Sequence, residues 1–201
     1  LGGFPTFVLS ALRAGYSSIP VRILTSDHPS DNEILGICEN YGLEAFRGPL
    51  ENVFERFIQA TTHLAPMDRI VRLTADNVLP DSSIILRLVD FAMQSGLEYA
   101  NVHDLKIEAA PLGLSVEVFT ARALRATRQP QMLSSDKEHV TPSMRKLFGS
   151  GSSYPKRTGK SSEFSIDTRD DYEFHQRVLE LIDSPVETPW EELFRTAKRV
   201  K

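Results

Sequence analysis

The stretch Arg69-Ile70-Val71-Arg72-Leu73-Thr74-Ala75-Asp76-Asn77 decides the fold of this chain. An apolar, β-rich run ends abruptly in a carboxylate, and Pro80-Asp81 and an amphipathic helical pattern follow it. In an open α/β sheet, ligands lie outside the carboxyl ends of the strands, so a strand-terminal Asp points at a site. A carboxylate there can hold a hard cation against substrate phosphates. The competing reading is that it caps the next helix.

Working outward, the same alternation of strand and helix recurs. Phe4, Val8, Ala11 and Leu12 fall at helical spacing, with Pro5 in the first turn. Val21 to Leu24 reads as a short buried strand running into Thr25-Ser26-Asp27. Ser30 and Glu33 have capping-box spacing ahead of a stripe at Ile34, Ile37, Cys38 and Tyr41. Leu43 to Phe46 is the next strand, ending at Arg47-Gly48-Pro49, and a second stripe follows at Leu50, Val53, Phe54, Phe57 and Ile58. Ile84, Leu88 and Phe91 mark the helix after the strand Ile70 to Leu73. This succession predicts βαβ units, a mostly parallel sheet flanked by helices, and right-handed crossovers.

The second half is less regular. Leu97 to Asn101 and Ser115 to Phe119 read as strands, the latter alternating Val116 and Val118 against Glu117. Val102 to Gly113 carries no period and reads as a loop over the site. Asp136 to Phe148 has weak helical character, interrupted at Pro142, and residues 149–162 read as a flexible loop rich in Gly, Ser and Lys. Phe164-Ser165-Ile166 is a last short strand ending in Asp167, after which Thr168 can cap a helix bearing Phe174, Val178, Leu181 and Ile182. A final amphipathic piece surrounds Trp190, Leu193, Phe194 and Ala197.

With 201 residues and 41% hydrophobic content, residues 1–201 are expected to form one domain with a core that needs no staples. A net charge of -4 argues against a nucleic-acid footprint, which needs a basic face. The single cysteine, Cys38, excludes an intramolecular disulfide and fits a reducing compartment. No apolar run approaches the roughly 18 residues of a membrane span, and no signal-peptide pattern is visible. The expectation is a soluble cytoplasmic protein with no membrane partner.

Two strand-terminal carboxylates, Asp76 and Asp167, form the leading constellation. Each follows an apolar strand and precedes a helix, so both can emerge at one sheet edge. Flanking one magnesium ion, they would neutralise a nucleoside triphosphate and organise in-line attack at its α-phosphorus. The duller alternative is that both simply start helices. Arg47, Arg56 and Arg72 are candidate phosphate or base contacts, since a guanidinium forks onto oxygen pairs. For Arg56 on its helix a solvated surface residue is the commoner outcome, and Arg72 inside an apolar strand is either paired or facing the cleft. Glu138-His139-Val140-Thr141-Pro142 groups an acid, an imidazole and a hydroxyl, but no second His lies at i+4, so an HExxH zinc site is absent. No G-x-S-x-G elbow supports a serine hydrolase. Arg157-Thr158-Gly159-Lys160-Ser161 is not a Walker A loop, because Tyr154 stands where its first glycine belongs.

Several segments together resemble the cytidylyltransferases of activated-sugar synthesis, which include the CMP-sialic acid and CMP-Kdo synthetases and the spore-coat polysaccharide biosynthesis proteins. Arg47-Gly48 with Asn52-Val53-Phe54-Glu55-Arg56-Phe57 resembles the family's arginine-glycine turn and its "DVLDRF" helix. Arg72-Leu73-Thr74-Ala75-Asp76-Asn77-Val78-Leu79-Pro80-Asp81 resembles "RLTGDCPLID". Tyr99-Ala100-Asn101 and Gly113-Leu114-Ser115-Val116-Glu117-Val118-Phe119 resemble "YASN" and "GLDVEVF", and Glu138 to Pro142 is identical to "EHVTP". Ser165-Ile166-Asp167-Thr168-Arg169-Asp170-Asp171 resembles "TVDTPEDF". Motifs in the right order across nearly the whole chain make the signal specific.

The resemblance implies a Rossmann-like nucleotidyltransferase fold of the nucleotide-diphospho-sugar transferase type, a homodimer, and a reaction joining CMP from CTP to an acidic or related sugar with release of pyrophosphate. By that similarity Asp76 and Asp167 are the catalytic, magnesium-binding residues. Arg47, Arg56, Thr74 and Asp76 contact the nucleotide, while Asn101, Glu117, Glu138 and His139 line the sugar side. The family opens with a strand and a basic, glycine-containing phosphate loop, whereas this sequence begins at Leu1-Gly2-Gly3. The expectation is a sequence cut short of that N-terminal strand and loop. Ser115 stands where the family has Asp, a change bearing on the sugar accepted. Two rivals stand beside this reading. One is a non-catalytic homologue that binds nucleotide or sugar as a partner subunit. The other is a glycosyltransferase, whose usual Asp-x-Asp is absent because Thr74 and Val78 flank Asp76.

Overall fold

In the computed structural model, which describes residues 1–107, 114–149 and 164–200, the alternation read from the sequence is realised with small shifts at the element ends. Helix α1 (Thr6–Gly15) starts after Pro5 and precedes β1 (Arg22–Ser26). Then come α2 (Asn32–Asn40), β2 (Glu44–Gly48), α3 (Val53–Ala60) and β3 (Arg69–Arg72). Helix α4 (Ser82–Gln94) leads to β4 (Tyr99–Asn101), and β5 (Glu117–Thr120) follows. The remaining elements are helical: α5 (Ala121–Ala126), α6 (Ser134–His139), α7 (Pro142–Phe148), α8 (Arg169–Leu179) and α9 (Trp190–Ala197).

Strands β1 and β2 pair in parallel, joined through α2 as a βαβ unit. Strands β3 and β4 flank β5 and are both antiparallel to it, so they run in the same direction as each other, linked by α4. The α/β fold with flanking helices is therefore present, with one parallel pair, β1 and β2, and a second sheet in which β5 lies antiparallel between two strands of common direction.

The three-stranded sheet is covered on both faces, and its period of two sorts side chains into two cores. Val71, Ala100 and Val118 belong to the larger cluster, with Leu79, Ile84, Leu88, Phe164, Val178 and Leu193. Ile70, Tyr99 and Phe119 belong to the other, with Phe54, Phe57, Leu124, Val140 and Met144. That second face also takes Arg72 and Glu117, two residues along from Ile70 and Phe119, and they are register partners.

Several local expectations change. The strand at Phe164 to Ile166 reduces to a single antiparallel bridge, Asn77 to Ser165. Ser30 does not cap α2. It sits in a 3-10 turn (Pro29–Asp31), where Asp31 turns its carboxylate back to accept from Thr25 Oγ1 (2.8 Å), Ser26 Oγ (2.6 Å) and Ser26 N (3.0 Å). Those hydrogen bonds hold the Asp31 carboxyl well below the usual range. Val102–Leu105 forms a 3-10 turn rather than open loop. Residues 108–113 and 150–163, which hold the rest of that loop and nearly all of the expected loop at 149–162, lie outside the described residues. No helix among the described residues is long and apolar enough to cross a membrane.

Candidate active site

The question left open for Asp76 and Asp167 was whether they merely start helices. They do not. Asp81 is the N-cap of α4, accepting from Ser83 N at 2.9 Å and Ile84 N at 3.2 Å. Thr168 is the N-cap of α8, in a capping box with Asp171. Helix starts are thus satisfied by other side chains, and both Asp76 and Asp167 are exposed. Their segments lie side by side. Asn77 bridges Ser165, and Ile166 N–H donates to Asp76 C=O at 2.9 Å. The turn carrying Asp76 is fixed by Asn77, whose amide nitrogen donates to Thr74 Oγ1 and, at 3.3 Å, to Asp76 Oδ1.

Beside this edge, beyond the carboxyl end of β3, lies a cavity of about 240 Å³. Among the described residues Arg72, Thr74, Asn77, Ser115, Glu117, His139, Thr141 and Arg145 line it. Glu117 is its organising residue, only 3% exposed. Its Oε2 meets Arg72 Nη1 at 2.7 Å. Its Oε1 accepts from Tyr99 OH (2.6 Å), Thr141 Oγ1 (2.8 Å) and Arg145 Nη2 (3.1 Å). Burial works against ionisation of this carboxyl, but the Arg72 guanidinium and the two hydroxyls outweigh it and keep its pKa below the ordinary value. A buried carboxylate needs such a complete set of partners, because an unpaired charge in the interior is costly.

Of the residues expected at the sugar side, Glu117 and His139 line this cavity; Asn101 and Glu138 do not. The Asn101 side chain instead caps the 3-10 turn, accepting from His103 N at 3.0 Å while Asp104 accepts from Asn101 N. Glu138 is exposed on α6. Of the residues expected at the nucleotide, Thr74 lines the cavity, and Asp76 lies beside it in the same turn. Arg47 spends all three guanidinium nitrogens on the β1–α2 connection, donating to Ser26 C=O, Asn32 Oδ1 and His28 C=O at 2.9 Å each.

Arg56 is not a solvated surface residue. It is 9% exposed and donates to Pro49 C=O at 2.9 Å, while its Nε is buried with no hydrogen-bond partner among the described residues. Gly48 makes room for it: a Cβ there would stand 3.0 Å from Arg56 Cγ. Two cavity-lining residues, Asn77 and Arg145, and one buried partner of Glu117, Tyr99, escaped sequence reasoning as site residues. Asn77 was visible only as part of a motif. Tyr99 likewise was visible only within the Tyr99-Ala100-Asn101 motif. Arg145 lies four residues after Thr141, the spacing that puts two helical side chains on one face, and that was the available signal.

Among the described residues no group of three or more His, Cys, Asp or Glu could hold a metal ion by itself. A magnesium ion does not require one, since it is commonly bound by one or two carboxylates and the substrate's phosphates. The exposed pair Asp76 and Asp167 fits that mode.

Comparison with known proteins agrees with this architecture. Residues 11–195 match the family model described as cytidylyltransferase, and the chain belongs to that family. It is 30% identical over 157 residues to the spore coat polysaccharide biosynthesis protein SpsF of Bacillus subtilis, covering 75% of this chain and 63% of that protein. It is 30% identical over 135 residues to protein MJ1063 of Methanocaldococcus jannaschii, covering 67% of this chain and 53% of that protein. The chain thus spans less than two thirds of the length of these relatives. A solved cytidylyltransferase structure from Leptospira borgpetersenii superposes with a TM-score of 0.79 at 25% identity, over 96% of this chain and 82% of that one.

Proposed function

We propose that this chain transfers CMP from CTP to a sugar hydroxyl with release of pyrophosphate, in the assembly of a surface polysaccharide or glycan. The observation that carries the proposal is the pairing of the 76–77 segment with the 165–166 segment, which brings two exposed carboxylates to one edge beside a polar cavity. Family membership supports the reaction class.

In this reading Asp76 and Asp167 would hold magnesium, which supplies charge neutralisation to the triphosphate when bound. The chain's own residues do the positioning. Arg56 serves the nucleotide, and the Arg72, Glu117, Thr141 and Arg145 network fixes the wall against which the sugar is oriented, so that its hydroxyl faces the α-phosphorus. A sugar bearing a carboxylate is the reading the family resemblance supports, with Arg72 and Arg145 of the lining as the cations that would face its anionic group. The same family resemblance supports a homodimer, which light scattering tests.

The test of the reaction is a matrix of the four nucleoside triphosphates against acidic and neutral sugars, with magnesium, read by pyrophosphate formation. The expected result is release with CTP and an acidic sugar. Release with another nucleotide in preference to CTP, or with none, would remove the proposal.

A further inference from the structure

The segment Glu138-His139-Val140-Thr141-Pro142 joins α6 to α7 through one residue with an unusual backbone. Val140 has φ +68° and ψ −46°, and Thr141 N–H donates across it to His139 C=O at 2.7 Å. Those angles with an i to i+2 hydrogen bond define a γ-turn of the rare, strained hand. A positive φ in a β-branched residue is a genuine outlier, because the side chain crowds the backbone. Strain of this kind persists only where the surroundings over-determine it.

The surroundings here do so from three directions. The Val140 side chain is 1% exposed, within the cluster of Phe54, Tyr99, Phe119 and Met144. Val140 N–H donates back into α6, to Asp136 C=O at 3.0 Å. The buried Asp136 carboxylate meanwhile grips the start of α7, accepting from Ser143 N at 2.8 Å and Ser143 Oγ at 2.9 Å. A helical φ at 140 would continue α6 and carry Thr141 away from Glu117. With the turn in place, His139 and Thr141 both line the cavity, and Arg145, one helical turn further on, reaches Glu117.

We propose that Val140 is a positioning residue, whose buried side chain holds a strained γ-turn that sets His139, Thr141 and Arg145 around the cavity. The kinetic part of its test rests on the proposed reading of that cavity as the sugar side. The structural part does not.

The experiment compares Val140→Gly, which removes both the anchor and the steric constraint, with Val140→Ile, which keeps a branched apolar anchor. Hydrogen exchange read by NMR should show the Thr141 amide exchanging at least about tenfold faster in V140G, while the β5 amides of Val118 and Phe119 keep wild-type rates. V140I should restore the slow rate. In the enzyme assay V140G should raise KM for the accepted sugar by about tenfold and leave KM for CTP within about twofold. If V140G does not fold, Val140→Ala deletes the same anchor and must give the same local acceleration.

Unchanged Thr141 exchange would overturn the proposal. So would equal acceleration of the β5 amides, or a parallel rise in both KM values, since each marks a merely structural role. If the wild-type protein turns over no sugar, the functional reading fails and the exchange result alone decides this one.

Discussion

Removing the charge from Glu117 isolates what the cavity network contributes. Glu117→Gln preserves shape and leaves an acceptor for the Tyr99 and Thr141 hydroxyls, but Arg72 and Arg145 lose their counter-charge. Breaking a buried pair in this way should cost about 3 kcal/mol of stability at pH 7, measurable by urea unfolding. The folded pKa of Glu117 lies below its ordinary 4.5. The unfolded chain therefore takes up the proton first, and the contribution is complete above that value and lost as pH falls through the folded one. The wild-type advantage over E117Q should accordingly shrink from pH 5 toward pH 3, and an advantage independent of pH would show that charge is not its source. The alternation Val116, Glu117, Val118 placed Glu117 on the face opposite the two valines, as observed. Its burial was not legible, because its partners come from β3, β4, the 141 turn and α7, which a local pattern cannot join.

At the scale of elements, the helices with at least two full turns and a clear stripe were legible, and so was the succession β1, α2, β2, α3, β3, α4. Helices α5 and α6 have six residues each and α7 has seven. Fewer than two turns give a period of 3.6 little to repeat, so Asp136 to Phe148 read only as weakly helical and α5 was not read at all. The C-terminal helices are tied to the N-terminus by a residue no pattern singled out. Arg13 on α1 is 2% exposed and donates to Pro80 C=O at 2.9 Å, Pro185 C=O at 2.5 Å and Thr188 C=O at 3.1 Å. Burial lowers its pKa to about 10, opposed by the nearby Asp81. Asp81 in turn caps α4 and accepts from Trp190 N at the start of α9. Arg13→Lys keeps the charge but cannot fork to several carbonyls. It should therefore destabilise the fold by about 2 kcal/mol, seen as a lower melting temperature. A melting temperature equal to wild type would mean that this clasp adds no stability.

For the whole molecule, the sequence pattern was sufficient for the α/β class because most strands are short apolar runs between amphipathic helices. It could not reveal that β5 runs opposite to β3 and β4, since strand direction is set by partners distant in the chain. Nor could it decide whether Asp76 and Asp167 start helices. That depended on which neighbours capped α4 and α8, and the structure gives those tasks to Asp81 and Thr168. The two remaining carboxylates share one edge because residues 76–77 and 165–166, nearly ninety positions apart, run side by side.

The central claim is that Asp76 and Asp167 act together at that edge. The direct measurement is pyrophosphate release from CTP and the accepted sugar, with magnesium, by the wild type, Asp76→Asn and Asp167→Asn, alongside their melting temperatures. Each substitution is expected to lower kcat by about a hundredfold or more with the melting temperature little changed, since each side chain is exposed and Asp81 and Thr168 cap the adjoining helices. Wild-type turnover in either variant, in a protein that is otherwise active, would contradict the claim.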